Sequence, residues 1–271
     1  MRLAVGIEYA GTRYAGWQRQ TAAASVQAAV EDALGRIAVA PVRLTCAGRT
    51  DAGVHALGQV AHFDTAAERP LRGWLLGANG QLPPDIALHF VLPVDAAFHA
   101  RYSAVSRTYR YLILNRPTRA PLLADRVLWR HQPLDAERMH AALQVLVGEH
   151  DFSAFRAAEC QSQSPVRRLA AIAVRRAGEL VTLEVTANAF LHHMVRNIVG
   201  SALEVGEGER PVEWLAELLA SRDRRLSGPT AAPGGLYLAR VEYPAAAGLP
   251  APAGAGLSAI IGAEAPSRGP G

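Results

Sequence analysis

The chain has 271 residues, half of them hydrophobic, and a formal net charge of +4, which suits one large domain or two modest ones with a real core and is compatible with a polyanionic partner without requiring one. Every one of its 28 Lys+Arg residues is arginine, and this excludes Schiff-base, pyridoxal-phosphate and P-loop lysine chemistry. The cysteines are Cys46 and Cys160 alone, too few for a disulfide scaffold or a four-cysteine zinc site and expected to be reduced, buried thiols of a cytoplasmic protein.

Residues 2–9 predict a strand. They lack the long apolar run and small-residue cleavage site of a signal peptide, and no stretch of the chain has the length and purity of a membrane span. A helix is expected from Ser25 to Ala38, with Val26, Val30, Ala33, Leu34 and Ile37 on one face and Ser25 as N-cap. Val42 to Ala47 and Gly58 to Asp64 predict two strands around a polar loop. Pro70 to Gln81 predicts a helix despite its glycines, and Ile86 to Leu92 a strand after the Pro83-Pro84-Asp85 break. The order β-α-β-β-α-β is ferredoxin-like.

The remainder repeats that order with insertions. Val105 to Leu114 and Arg126 to Arg130 predict strands. Asp135 to Val147 predicts a helix with Met139, Leu143, Leu146 and Val147 at helical spacing. Leu169 to Arg176 and Leu180 to Ala187 predict a hairpin turning near Ala177-Gly178. Helices follow over Phe190 to Val205 and Pro211 to Ala220, and a strand over Leu236 to Tyr243. The fold class is therefore α+β: two pseudo-symmetric ferredoxin-like (RRM-like) halves, residues 1–100 and 101–243, with mainly antiparallel sheet and a central cleft. Residues 244–271, mostly Ala, Gly and Pro, are expected to be a flexible tail.

One loop draws attention. Cys46-Ala47-Gly48-Arg49-Thr50-Asp51-Ala52-Gly53-Val54-His55-Ala56 joins two apolar strands and is longer than a plain connection needs. Its glycines permit tight backbone geometry around a polar triplet, which would hold one carboxylate forward with an arginine and a hydroxyl beside it. An ordinary turn, with Asp51 bonding its own backbone, is the plainer alternative. A binding module built of two tandem ferredoxin-like units, and a hydrolase acting on nucleosides or glycosides through Asp51, are further readings; the latter would need a second carboxylate, and Glu8, Asp64 and Asp85 sit in no comparable loop.

The segment Gly48-Arg49-Thr50-Asp51-Ala52-Gly53-Val54-His55-Ala56 resembles the signature of the TruA family of tRNA pseudouridine synthases. So do Phe98 to Ala104 with Arg107-Thr108-Tyr109-Arg110-Tyr111; Gly148 to Phe152 with Phe155-Arg156 and Cys160-Gln161-Ser162; Phe190 to Gly200; and Thr230 to Leu238, in family order. Ala232 and Gly234 depart from that pattern, where the family more often has Pro and Glu. The resemblance implies an isomerase that turns uridine into pseudouridine in the anticodon stem-loop of tRNA, at tRNA positions 38, 39 and 40. It also implies that the working unit is a homodimer. Bonds are exchanged within one nucleotide, so neither cofactor nor metal is called for.

The resemblance makes Asp51 the catalytic aspartate, acting by attack on the sugar or base or by removing a sugar proton. It pairs Arg196 with that aspartate and places Tyr109 in the active site, where a ring can stack on uracil. Arg49 is expected in the cleft, on a phosphate or bracing a flipped nucleotide. His192 and His193 are expected on a helix, about a hundred degrees apart, a poor arrangement for one metal ion. Trp17, between Arg13 and Arg19, reads equally as an RNA contact or as the buried anchor of its loop.

Overall fold

A computed structural model describes residues 1–250. In chain order the elements are β1 (Arg2–Tyr9), α1 (Val26–Ala38), β2 (Thr45–Cys46), β3 (His55–Asp64), α2 (Leu71–Asn79) and β4 (Ile86–Val94). They continue as β5 (Ser106–Asn115), β6 (Leu128–Arg130), α3 (Ala136–Leu143), β7 (Gly148–Asp151), β8 (Val166–Ala177), β9 (Leu180–Ala187), α4 (Met194–Gly206), α5 (Trp214–Ser221) and β10 (Leu236–Glu242).

All the strands join one sheet in the order β4-β1-β3-β10-β5-β9-β8-β7, with β2 beside β3 and β6 beside β5. The ferredoxin-like order can be read twice along it. β4, β1, β3 and the stub β2 form the first set, and β10, β5, β9 and β8 the second. Pairing is antiparallel except for β10 with β3 and β6 with β5. The middle of the sheet is covered on both faces: nine of the ten residues of β3 are buried, and Leu112 and Ile113 of β5 are 1 % and 0 % exposed. Such strands read as near-continuous apolar runs rather than alternating ones. At the margin, β8 buries Leu169, Ile172 and Val174 and leaves Arg168, Arg175 and Arg176 exposed.

Several expected boundaries move, each for a local reason. The strand expected over Val42–Ala47 shrinks to Thr45–Cys46 because the Leu44 amide donates to the Glu31 carboxylate on α1 at 2.9 Å. That group is thereby satisfied outside the ladder. The stub pairs Thr45 and Cys46 with His62 and Ala61 of β3, and at the other end of β3 Tyr237 and Leu238 of β10 pair with His55 and Ala56. Ser25 precedes α1, but its hydroxyl caps nothing. The first amides of the helix, Val26 and Gln27, instead donate to the Gly16 and Trp17 carbonyls, which meets the same need by another route. Asp135, in contrast, caps α3 through bonds from the Glu137 and Arg138 amides. The helix expected from Asp135 to Val147 ends at Leu143 and passes into a tighter turn over Gln144–Leu146.

The helix expected from Phe190 begins only at Met194, because His193 is left-handed at φ 59°. Of the expected tail, residues 244–250 are described: a short turn over Ala245–Ala247, with Ala247 and Leu249 packed against the core. Residues 251–271 lie outside the described part. No described helix is long and apolar enough to cross a membrane.

Candidate active site

The loop before β3 is fastened at nearly every residue. Ala47 donates to the Val60 carbonyl and accepts from the Arg107 guanidinium at 3.0 Å. Gln59 donates to the Gly48 carbonyl at 2.6 Å. The buried Thr50 pairs its hydroxyl with that of Tyr9 at 2.7 Å, and its carbonyl accepts from the Trp17 amide. Gly53 turns the chain at φ 77° and donates to the Tyr14 carbonyl. A loop so satisfied holds its one free carboxylate, Asp51, in a fixed place. Trp17 is the buried anchor of its own loop, 1 % exposed and tilted against Tyr9 at 5.9 Å; it offers no surface to RNA.

Three cationic or imidazole groups meet Asp51 from the start of α4. Arg196 brings Nη1 to 3.3 Å from Oδ2. His192 Nε2 lies 3.4 Å from Oδ1, and His193 Nε2 lies 3.4 Å from Oδ2. Arg196 is held in turn, since its Nε donates to the Ala231 carbonyl at 2.7 Å while the Ala231 amide donates back to the Arg196 carbonyl. Burial pushes the His193 imidazole below its ordinary value, against the pull of Asp51, which favours the neutral ring, and Arg196 brings a guanidinium to the same carboxylate.

The histidines are therefore not spread around a helix. The left-handed turn at His193 brings the two rings, tilted by 37°, to 3.9 Å, and both meet one aspartate. Helical periodicity could not have shown this, although the run His192-His193-Met194-Val195-Arg196 carried the needed groups. Ligand-capable atoms of Asp51, His192 and His193 lie within 4.8 Å of one another, a number of ligands that a divalent cation could use. The Arg196 guanidinium already occupies that side of the carboxylate and would oppose a dication there.

Tyr109, on β5, is 8 % exposed and meets the Phe190 ring edge-on at 5.0 Å. A Cβ added to Gly48 would stand 3.8 Å from its hydroxyl, so the ring borders the Asp51 loop. Burial first, and the Asp51 charge second, drive the phenol far above its ordinary value, leaving it a permanent donor. Tyr111 lies in the core at 0 % exposure and donates to the Ala232 carbonyl at 2.6 Å. Arg49 is exposed, two residues before Asp51, and makes no hydrogen bond or ion pair among the described residues. The other carboxylates considered are engaged elsewhere: Glu8 with His89, Asp64 with Arg2, Asp85 with Arg13 and Tyr14.

A sequence family described as tRNA pseudouridine synthase matches residues 6–103 and 142–244. This chain belongs to the tRNA pseudouridine synthase family. Its members are isomerases that convert uridine in tRNA, and the match covers Asp51, His192, His193 and Arg196, while Tyr109 lies between its two segments. Among the family's curated proteins, the chain is 58 % identical to a tRNA pseudouridine synthase A of Aeromonas hydrophila over 92 % of this chain and 93 % of that one. It is 56 % identical to that of Pseudomonas aeruginosa over 92 % and 88 %, and 57 % identical to that of Methylococcus capsulatus over 92 % of each. A solved Cbf5-Nop10-Gar1 complex aligns at a TM-score of 0.34 and 13 % identity over 74 % of this chain. The chain spans 45 % of that structure's matched chain, and the likeness is too slight to carry any inference.

Proposed function

We propose that this family member isomerises uridines of the anticodon stem-loop and that Asp51 is its catalytic carboxylate. The observation that carries the proposal is the convergence of Arg196, His192 and His193 on Asp51, a carboxylate presented by a loop tied down on both sides. Bases within a stem must leave it to be reworked. The uridine would enter the cleft between Asp51 and Tyr109, with Arg49 on a phosphate or filling the space left in the stem, and exposed arginines on the remaining backbone.

The reaction balances within one nucleotide. The bond from N1 to C1′ breaks, the uracil turns, C5 bonds to C1′, C5 loses its proton, and N1 gains one. Asp51 serves either as nucleophile or as base toward the sugar. In both roles Arg196 keeps it aimed, and the protonated Tyr109 supplies a flat face for the turning base and a donor near its carbonyls. No cofactor enters that balance. The family resemblance further implies a homodimer working in the cytoplasm.

Asp51→Asn tests the assignment, because it keeps size and geometry and removes charge and basicity. Phosphate contacts dominate affinity for RNA, so the variant should retain unmodified tRNA on filters as well as the parent or slightly better. It should release no tritium from uridine labelled at C5. Arg49→Ala should instead weaken binding as well as turnover. Tritium release by Asp51→Asn at close to the parent rate would remove Asp51 from the mechanism.

A further inference from the structure

Among the described phenylalanines, tryptophans and tyrosines, Tyr102 alone is exposed, at 76 % of its surface. It is not a loose side chain. Its ring stacks on His99 at 4.3 Å with 29° between the planes, and the Arg101 guanidinium lies 5.6 Å from the ring centre. The turn beneath is fixed: the amides of Arg101 and Tyr102 both donate to His99 Nδ1 at 3.2 Å. The His99 amide also meets the Ser103 hydroxyl, and the Ser103 amide the His99 carbonyl.

That turn is fastened to the Asp51 loop through one buried side chain. Arg107 donates to the Arg101, Ala104 and Asn188 carbonyls and to the Ala47 carbonyl, four residues before Asp51. The Ala100 amide donates to His62 on β3 at 3.1 Å. An aromatic face kept open, flat and pre-ordered, with exposed Arg101 beside it and exposed Arg49 on the adjoining loop, matches what an unstacked nucleobase and its phosphate require.

We propose that the His99–Tyr102 stack, with Arg101, is a docking platform for one unpaired base of the RNA substrate, separate from the uridine that enters at Asp51. The inference rests on the reading of this chain as acting on a tRNA stem-loop. A base seated there would register the loop against the Asp51 cleft and would take no part in bond exchange.

The probes are unmodified tRNA transcript and the same RNA carrying 2-aminopurine at single positions of its anticodon loop. Tyr102→Ala should weaken binding roughly 5- to 150-fold, the span for losing one stacked base. Its kcat at saturating RNA and its melting temperature should match the parent's, and the dependence of affinity on salt should keep its slope, since no phosphate contact is lost. Tyr102→Phe should bind within about twofold of the parent. One 2-aminopurine position should be quenched by the parent and not by Tyr102→Ala.

Parent-like binding by Tyr102→Ala would overturn the platform. So would an equal loss in Tyr102→Phe, which would mean a hydroxyl contact, or a shift in sedimentation, which would mean that Tyr102 meets a second copy of the chain. The underlying reading fails differently, by the parent neither binding the transcript nor releasing tritium from it. If the parent binds without conversion, the affinities and quenching still decide the platform.

Discussion

Arg196 reaches Asp51 with one nitrogen and the Ala231 carbonyl with another, so it positions the carboxylate against a rigid support rather than floating beside it. Its side chain is 13 % exposed and that of Asp51 23 %, dry enough for the charge to matter and wet enough for substrate to enter. Arg196→Leu should therefore fold and lose turnover on the order of 10²-fold, the usual effect of removing one fixed electrostatic partner from a reacting group. Single-turnover tritium release with saturating tRNA measures it; a rate within twofold of the parent would detach Arg196 from the chemistry. Arg196 meets Asp51, and Tyr109 borders the same loop. What the sequence hid was the pair His192 and His193, because their shared aim depends on a left-handed residue before a helix that periodicity alone starts too early.

At the scale of elements, α4 is the part that brings the two sides of the site together, and it does so by close approach. A Cβ on Gly200 would stand 1.7 Å from the Pro229 carbonyl oxygen. The Gly228 amide donates to Ser201 at 3.1 Å, and the buried Asn197 accepts from Thr230 and Arg224. The segment that supplies the Ala231 carbonyl thus lies directly on the helix. Gly200→Ala would gain about 1 kcal/mol of helix propensity and yet should lose about 2 kcal/mol or more net, because backbone rather than a yielding side chain is struck. Its melting temperature should fall by roughly 4–8 °C, and its turnover should fall further than stability explains as Ala231 moves away from Arg196. Gly73→Ala in α2, where the nearest atom would be 3.7 Å away, should raise the melting temperature. Calorimetry on both variants checks the contrast, and equal melting temperatures would contradict the close packing.

For the whole molecule, β10 is the seam. It pairs parallel with β3 and antiparallel with β5, so the last described strand closes the second ferredoxin-like set and binds it to the first. The buried core runs through both, with Leu3, Val60, Tyr111, Leu183 and Ile198 in one connected cluster. Two sets that share a sheet and a core should unfold together. A single calorimetric transition, with van't Hoff and calorimetric enthalpies in agreement, is expected for the chain without RNA. Two resolved transitions would show that the halves are joined less firmly than the seam implies.

Alternation and helical spacing set the element types, and their doubled order set the α+β class, because period and turn chemistry are local properties of the chain. The polar loop with Asp51 was legible because glycines and charges interrupt two apolar strands. Tertiary structure decided the rest. The β2 strand became a stub because Glu31 captured its Leu44 amide. Ser25 lost its capping role to the carbonyls of Gly16 and Trp17. Trp17 turned inward, leaving Tyr102 as the exposed ring. Each outcome depends on which distant group arrives to satisfy a backbone amide or to cover an apolar face, and spacing along the chain carries no record of that.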